Sequence, residues 1–223
     1  MINGEIVVVD DIAEAFTQVV IADYQGRANS NFSIAVSGGP TAKGCYERLA
    51  QVPAESIGWW DIDVYWGDER CVPPDDPDSN ERMVREALLS TVGAVNAIYP
   101  MRCDDGVEAY QMKVANLGYF DLVHLGLGPD GHTASLFPKS AALNADPGLL
   151  VAFNEDPSGR NPHRRMTLTY SGIAKSRHVV FTVSGASKKE AFKAIRDGAD
   201  LPASKVVADQ VTWLVDRQAA SED

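Results

Sequence analysis

Apolar positions along this chain recur with two periods. Short apolar runs are typical of buried strands, and apolar residues spaced three or four apart are typical of amphipathic helices. We predict strands at 5–9, 32–36, 63–66, 121–127, 166–169, 178–183 and 211–215. We predict helices at 12–24, 41–49, 79–89, 107–116 and 187–197. The alternation indicates an α/β fold with a mostly parallel sheet and helices on both faces. Neither a repeat nor a low-complexity linker interrupts residues 1–223, so we predict a single domain.

The most informative segment is FDLVHLGLGPDGHTASLFP at 120–138. Its apolar first half predicts a strand buried on both faces, its glycines allow a sharp turn close to a ligand, and we predict a short helix beginning near His132. Ligands of open α/β sheets bind beyond the carboxyl ends of the strands, so Asp130 and His132 are candidate catalytic residues. Two alternatives are weaker. The first is a dinucleotide-binding fingerprint, but the glycines lie mid-chain and no acidic residue follows at the expected spacing. The second is that His132 only caps a helix or packs in the core.

Two more loops follow predicted strands. SGGPT at 37–41 contains Gly38, Gly39 and Thr41 at the start of a helix, where backbone N–H groups and the helix dipole favour an anion or an oxyanion. An ordinary tight turn is the alternative.

GDERCVP at 67–73 contains Arg70, which could clamp a phosphate with two parallel hydrogen bonds. Its acidic neighbours would either hold the guanidinium or form a surface ion-pair network.

Further cations stand near two later strands. In SGASKKEAF at 184–192, Lys188 falls in the first turn of a predicted helix, where a cation is unfavourable unless an anion binds. A merely solvated lysine is the alternative. RRMTLTY places Arg164 and Arg165 just before a strand, and one of the two could face the same cleft.

The composition narrows the possible partners. Acidic residues outnumber basic ones by 31 to 20, which gives a formal charge of −11. Nucleic acid is a poor partner because phosphate backbones need a basic footprint, and the same charge disfavours anionic membranes. No apolar stretch approaches the length of a membrane span. The first residues contain only a short apolar run followed by acids, so we predict no signal peptide and a cytoplasmic location.

The cysteines are Cys45, Cys71 and Cys103. Their number is odd and no CxxC spacing occurs, so neither a disulfide framework nor a zinc site is indicated. We predict three reduced thiols that serve as small buried side chains.

Taken together, SGGPT, WGDERCVPPDDPDSN, the segment at 120–138, RRMTLTY and the SGxxK loop closely resemble the 6-phosphogluconolactonase family in order and spacing. The resemblance covers roughly residues 7–215. It implies a Rossmann-like three-layer α/β sandwich with a mostly parallel open sheet. It also implies hydrolysis of 6-phosphogluconolactone to 6-phosphogluconate in the oxidative pentose phosphate pathway.

The resemblance also implies roles for single residues. His132 would be the base that activates water, and Asp130 would support it. Arg70 and Lys188 would contact the phosphate, and Arg165 matches an arginine before the family's TLT strand. The substrate would be lined by Gly38, Gly39 and Thr41. We expect no cofactor and no metal, a phosphorylated lactone as the small-molecule partner, and a monomer or weak homodimer.

The chain departs from the family's usual sequence at a few positions, and two other functions remain as alternatives. Pro40 and Ala42 replace the residues more usual around the threonine, and His124 stands where an aliphatic residue is common, which we interpret as a packing difference. The nearest rival is the sugar-phosphate deaminase and isomerase branch of the same fold group, which typically has NGHIAFNEP in place of DGHTASLFP. A catalytically inactive sugar-phosphate sensor is disfavoured because His132 and Arg70 are both present.

Overall fold

A computed structural model describes residues 2–221. The strands are β1 (Glu5–Val9), β2 (Phe32–Val36), β3 (Ile62–Trp66), β4 (Asp68–Arg70), β5 (Ala97–Tyr99), β6 (Phe120–Gly126), β7 (Val151–Asn154), β8 (Arg165–Leu168), β9 (Ser176–Val183) and β10 (Gln210–Asp216). The helices are α1 (Ile12–Gln25), α2 (Pro40–Leu49), α3 (Asn80–Val84), α4 (Ser90–Val92), α5 (Gly106–Leu117), α6 (Tyr170–Ile173), α7 (Lys189–Arg196) and α8 (Arg217–Ala220).

The seven strands and five helices predicted from the apolar pattern are confirmed, with bounds that shift by a few residues, whereas the short helix predicted near His132 is absent. The helix predicted at 79–89 is α3 followed by one π-helical stretch, Arg85–Leu89, which leads into α4. The strands β4, β5 and β7 were not predicted. They are only three or four residues long, and β4 reads Asp-Glu-Arg, so no apolar run or alternation announces them.

Seven strands of the described chain form one parallel sheet in the order β1-β10-β9-β6-β2-β3-β5. The central strands β2, β3 and β6 are buried along almost their whole length, because helices cover both faces. On one face, Phe16 of α1 contacts the His124 ring of β6 at 4.1 Å between centroids. On the other, Phe192 of α7 packs against Trp213 of β10. The predicted three-layer α/β architecture is therefore confirmed.

A second, antiparallel sheet has the order β4-β8-β7 and sits beside the carboxyl end of the main sheet. Gly67 connects the two, because its N–H donates to Val36 O of β2 and its carbonyl accepts from Leu168 N of β8, both at 2.8 Å. This small sheet fixes where the Asp-Glu-Arg segment lies relative to the parallel strands.

The prediction of three reduced thiols is wrong for two of them. Cys71 and Cys103 form a disulfide, with their Cα atoms 5.3 Å apart, whereas Cys45 is a buried free thiol. The two bonded residues are 32 positions apart in the sequence. Their proximity follows from the packing of the loop after β4 against the turn before α5, which spacing along the chain does not reveal.

Across residues 2–221, no helix has both the length and the apolar character needed to cross a membrane.

Candidate active site

A cleft of about 310 Å³ opens beyond the carboxyl ends of β2, β6 and β9. Its wall contains the predicted substrate-binding residues and the predicted base, namely Gly38, Gly39, Thr41, Arg70, His132, Arg165 and Lys188. Asp130 does not line the cleft, but its Oδ1 is hydrogen-bonded to Nδ1 of the His132 ring. The loops after β2, β6 and β9 converge here as expected at the carboxyl end of a parallel sheet, and the antiparallel β4–β8 pair adds Arg70 and Arg165.

Asp130 orients the His132 ring. The distance from Asp130 Oδ1 to His132 Nδ1 is 2.5 Å, and the same oxygen accepts from the His132 backbone N–H at 3.2 Å. Partial burial acts to raise the pKa of Asp130, but its bonds to His132 and the charge of that ring outweigh burial, so the pKa lies below its usual range. An ionised Asp130 accepts the Nδ1 proton, which leaves Nε2 of the neutral ring as a proton acceptor.

The loop that carries His132 contains no helix, so the prediction of a helix beginning there is wrong. Residues after β6 make successive turns closed by an isolated bridge between Thr133 and Leu136. Thr133 Oγ1 also donates to Gly126 O at 2.8 Å. Pro138 follows closely and disfavours helical backbone at the residue before it. The helix dipole expected at His132 is therefore missing, and the hydrogen-bonded partner of its ring is Asp130.

Gly128 lets the chain pass against the histidine ring. A Cβ at this position would lie 2.1 Å from His132 Nδ1, where no side chain fits. Gly128 N also donates to His132 O at 2.8 Å, which closes the loop. The glycine is thus needed for the close packing that holds the ring, with Phe137 at 5.0 Å between ring centroids.

Arg70 and Arg165 form a cationic wall. They are partners in the β4–β8 register, and both line the cleft. Arg70 Nη1 donates to Asp78 O at 2.5 Å, and Arg165 Nη2 donates to Pro162 O at 3.1 Å. In both residues, Nε is buried without a hydrogen-bond partner in the described chain. Burial lowers the pKa of Arg165, Asp68 opposes that effect, and Arg70 adds to it. Two adjacent guanidiniums that border one cleft have the charge to bind an anion there.

The structure separates the two neighbouring arginines. Arg165 is buried at 6% exposure, whereas Arg164 is exposed and stacks on Phe153 with its guanidinium carbon 3.7 Å from the ring centroid. Arg164 does not line the cleft. Arg165 is the first residue of β8 and pairs with Arg70, whereas Arg164 precedes the strand.

Asp68 and Glu69 take neither of the roles considered for them. Glu69 accepts from three backbone N–H groups, those of Arg70, Asn80 and Glu81, at 2.6–2.7 Å. It thereby caps the start of α3, and burial raises its pKa to about 7 against those hydrogen bonds. Asp68 Oδ2 accepts from Ser135 Oγ at 2.6 Å. Both carboxyl groups are buried supports of the loops that form the cleft.

The SGGPT loop is shaped by two glycines. A Cβ on Gly38 would lie 2.0 Å from Asn80 Oδ1, so this position admits no side chain. Gly39 has a φ of +95° and precedes α2, whose first turn has no side-chain cap. The N–H groups at the start of α2, including that of Thr41, therefore face the cleft region without a side-chain acceptor in the described structure.

Lys188 occupies the end of a 3-10 turn, Ala186–Lys188, immediately before α7. It lines the cleft. Burial lowers its pKa, and the nearby Asp130 carboxylate acts in the opposite direction. The Lys188 ammonium therefore belongs to the same electrostatic cluster as the Asp130–His132 pair.

Sequence reasoning missed three polar residues of the cleft wall, Asn80, Asn161 and Thr182. Asn161 is held by Asp156 Oδ2, which accepts from its backbone N and its Nδ2 at 3.0 and 2.8 Å. Thr182 lies near the carboxyl end of β9, a position that marks it as a candidate from the strand prediction alone. Within residues 2–221, no group of three His, Cys, Asp or Glu side chains is arranged to hold a metal ion.

Comparisons with known proteins agree with this geometry. A sequence profile described as glucosamine-6-phosphate isomerases/6-phosphogluconolactonase matches residues 6–214. A 6-phosphogluconolactonase from Synechocystis is 40% identical over 206 residues, covering 84% of this chain and 82% of the relative. One from Mycobacterium tuberculosis is 38% identical over 196 residues and covers 78% of each chain.

Solved structures give the same result. The structure of 6-phosphogluconolactonase from Thermotoga maritima has a TM-score of 0.84 at 29% identity and covers 95% of this chain and 99% of that one. That of the enzyme from Trypanosoma brucei has a TM-score of 0.83 at 28% identity, with 99% and 98% covered. A monomeric glucosamine-6-phosphate deaminase, 19% identical with a TM-score of 0.81, shares the fold. The chain belongs to the glucosamine-6-phosphate isomerase/6-phosphogluconolactonase family.

Proposed function

We propose that this protein hydrolyses 6-phospho-D-glucono-1,5-lactone to 6-phosphogluconate, a step of the oxidative pentose phosphate pathway. The observation that carries the proposal is one cleft that contains both a carboxylate-oriented histidine and a pair of adjacent arginines. The first can activate water and the second can hold a phosphate. The names of the relatives at 38–40% identity support the same activity.

In the proposed mechanism, His132 acts as a general base. Its Nε2 takes a proton from a water molecule, and the water oxygen attacks the lactone carbonyl carbon. The tetrahedral intermediate collapses when the bond from this carbon to the ring oxygen breaks. The ring oxygen then takes the proton from the imidazolium, and the new carboxylic acid loses its own proton to solvent. Asp130 stabilises the imidazolium between these two transfers.

Electrostatic stabilisation of the oxyanion comes from the cleft wall. The candidate donors are the backbone N–H groups at the start of α2, which border the cleft. Each donor aimed at a developing oxyanion contributes on the order of 3 kcal/mol to the barrier reduction. These N–H groups are held in place by the turn between β2 and α2.

Binding energy comes from the phosphate, far from the reacting carbon. Arg70 acts as a fork, Lys188 acts as a point charge, and Arg165 adds a second guanidinium beside Arg70. Gly38, Gly39 and Thr41 line the sugar. Because the whole chain carries a formal charge of −11, this local cluster must attract the dianion against the global field.

The alternative within the family is the isomerisation or deamination of an amino sugar phosphate. The deaminase neighbour is 19% identical and shares only the fold, whereas the relatives at higher identity are named lactonases. The loop DGHTASLFP also lacks the NGHIAFNEP pattern of the deaminases.

The test is an assay of the purified protein on both substrate types. The lactone is generated in place, and acid release above the spontaneous rate is recorded with and without EDTA. Glucosamine 6-phosphate is tested in parallel for ammonia. Ammonia release without lactone opening would replace the proposal by the alternative. Loss of lactone opening with EDTA, restored by a divalent ion, would overturn the metal-free mechanism.

A cytoplasmic location and a monomeric or weakly dimeric state stay predictions. Fractionation of cells tests the first, and light scattering of the purified protein tests the second.

A further inference from the structure

A chain of buried hydrogen bonds crosses the sheet between two walls of the cleft. Ser37 N lies 2.7 Å from Tyr46 Oη, Tyr46 Oη lies 2.8 Å from His124 Nδ1, and His124 Nε2 lies 2.9 Å from Thr182 Oγ1. The two outer residues, Ser37 and Thr182, line the cleft. The two inner ones, Tyr46 and His124, are fully buried. Both ring nitrogens of His124 make hydrogen bonds, so this residue does not simply fill the space of an aliphatic side chain.

The direction of this chain follows from its first member. A backbone N–H can only donate, so Tyr46 Oη accepts from Ser37. The Tyr46 proton then has His124 Nδ1 as its acceptor, since no other acceptor for it occurs in the described residues. Burial lowers the pKa of His124 to about 3, so the ring is neutral and carries its one proton on Nε2. That proton is donated to Thr182 Oγ1.

Thr182 is consequently left with a donor that the protein does not use. Its Oγ1 accepts from His124, and residues 2–221 provide no acceptor for its own proton. We propose that Thr182 donates a hydrogen bond to an oxygen of the bound sugar phosphate, and that Tyr46 and His124 are positioning residues that fix this direction. The inference rests on the proposed function for the ligand, and the hydrogen-bond chain itself exists without it.

A donor fixed in this way selects ligands by chemistry. A sugar or phosphate oxygen that accepts a hydrogen bond from Thr182 binds favourably. A ligand group that can only donate would face the Thr182 hydroxyl proton without an acceptor and bind less well. Because the hydrogen-bond chain starts at Ser37 in the SGGPT loop, it also couples the position of that loop to the cleft wall formed by β9. One rigid unit thereby connects two sides of the ligand.

The first experiment compares Thr182→Val, which keeps the shape and removes the hydroxyl, with Thr182→Ser, which keeps the hydroxyl. Binding of 6-phosphogluconate and of inorganic phosphate is measured by calorimetry. We expect roughly three- to tenfold weaker binding of 6-phosphogluconate to Thr182→Val, the range of one neutral hydrogen bond. Thr182→Ser should stay within about twofold of wild type. If phosphate binding also weakens, the acceptor is a phosphate oxygen, and if it does not, the acceptor is a sugar oxygen. Equal 6-phosphogluconate affinity of Thr182→Val and wild type would overturn the inference.

A second variant separates the lost hydroxyl from a disturbed core. Thr182→Val leaves the His124 Nε2–H unpaired, whereas the double variant His124→Leu/Thr182→Val does not. We expect the double variant to bind 6-phosphogluconate as weakly as Thr182→Val, because both lack the donor. Restored wild-type affinity in the double variant would show that the hydroxyl itself does not contact the ligand.

The histidine proton can be located without any ligand. In ¹⁵N-labelled wild-type protein, long-range ¹H–¹⁵N spectra should show His124 with a protonated Nε2 and an unprotonated Nδ1 between about pH 5 and pH 8. A proton on Nδ1 would reverse the direction of the hydrogen bonds made by His124 and overturn the assigned role of Tyr46 and His124. This measurement does not depend on lactonase activity, so its failure is distinguishable from failure of the proposed function.

Discussion

Arg70 and Arg165 face each other across the antiparallel β4–β8 pair, and both guanidiniums border the same cleft. Like charges at opposite positions of a strand pair repel, and Nε of each is buried without a hydrogen-bond partner in the described residues. The arrangement is unfavourable in the free protein and favourable when an anion lies between the two groups. We therefore expect the phosphate of the proposed substrate to bind at this end of the cleft.

Removal of either cation proposed to bind the phosphate should weaken catalysis selectively. We expect Arg70→Ala and Lys188→Ala each to lower kcat/KM for the phosphorylated lactone by roughly ten- to a hundredfold, because a charge-assisted hydrogen bond contributes about 1.5–3 kcal/mol. Gluconolactone without the phosphate should be affected far less. Equal losses on both substrates would assign these residues to structure or to the reacting carbonyl.

The neighbouring arginines provide a matched pair. Arg165→Ala should raise KM for the phosphorylated lactone, because Arg165 is buried in the cleft wall. Arg164→Ala should leave KM within about twofold of wild type, because its guanidinium stacks on Phe153 outside the cleft. Steady-state kinetics of the two variants check this, and the reverse order would contradict the register of β8.

Replacement of the base should act on kcat. We expect His132→Ala to lower kcat by about 10²–10⁴, the contribution of a positioned general base, with little change in the binding of 6-phosphogluconate. Asp130→Asn should lower kcat as well, because it removes the carboxylate that holds the Nδ1 proton. A folded His132→Ala protein with near-normal kcat would move the base to another group.

Gly38 and Gly44 should respond oppositely to alanine. A Cβ on Gly38 collides with Asn80, whereas one on Gly44, inside α2, meets nothing within 4 Å. Gly38→Ala should destabilise the protein and lower activity. Gly44→Ala should stabilise it by about 0.5–1 kcal/mol through helix propensity. Urea unfolding measures both, and destabilisation by Gly44→Ala would contradict the open space around it.

His124 should make the fold sensitive to acid. Its folded pKa is about 3 and the unfolded value is about 6.5, so below about pH 6.5 the unfolded chain binds the extra proton and stability falls. The loss approaches about 1.4 kcal/mol per pH unit down to the folded pKa, and above about pH 6.5 this group contributes nothing.

The check is the difference in unfolding free energy between wild type and His124→Leu as a function of pH. The raised pKa of Glu69, about 7, acts in the opposite direction in both proteins and cancels in the difference. Parallel pH profiles would show that His124 does not titrate as described.

The disulfide is tested by thiol counting. Denatured protein without reductant should expose one thiol, that of Cys45, and reduced protein should expose three. Because the bond closes a loop of 32 positions, its reduction should cost about 3–4 kcal/mol of unfolding free energy in the chain-entropy treatment. Three reactive thiols without reductant would show that Cys71 and Cys103 are not bonded.

The sequence by itself determined the α/β class, the long elements and the loops of the site. Apolar runs such as that of β6 and helical periods such as that of α1 are local signals, and they remain readable without the rest of the chain. The glycines and His132 lie in loops that follow strands of the parallel sheet, so the sheet brings them to one edge. Arg70 reaches the same edge through the antiparallel β4–β8 pair. The resemblance to the lactonase family added their roles as hypotheses.

Tertiary structure alone decided the remaining features, because each depends on residues distant in the chain. The Cys71–Cys103 bond depends on the packing of two loops. The choice of Arg165 over Arg164 depends on the pairing of β8 with β4. The absence of a helix at His132 follows from turns closed by Thr133 and Leu136. The role of His124 depends on Tyr46 and Thr182, which lie 78 and 58 residues away and meet it only across the folded sheet. Non-local contacts leave no period in the sequence, so only packing reveals them.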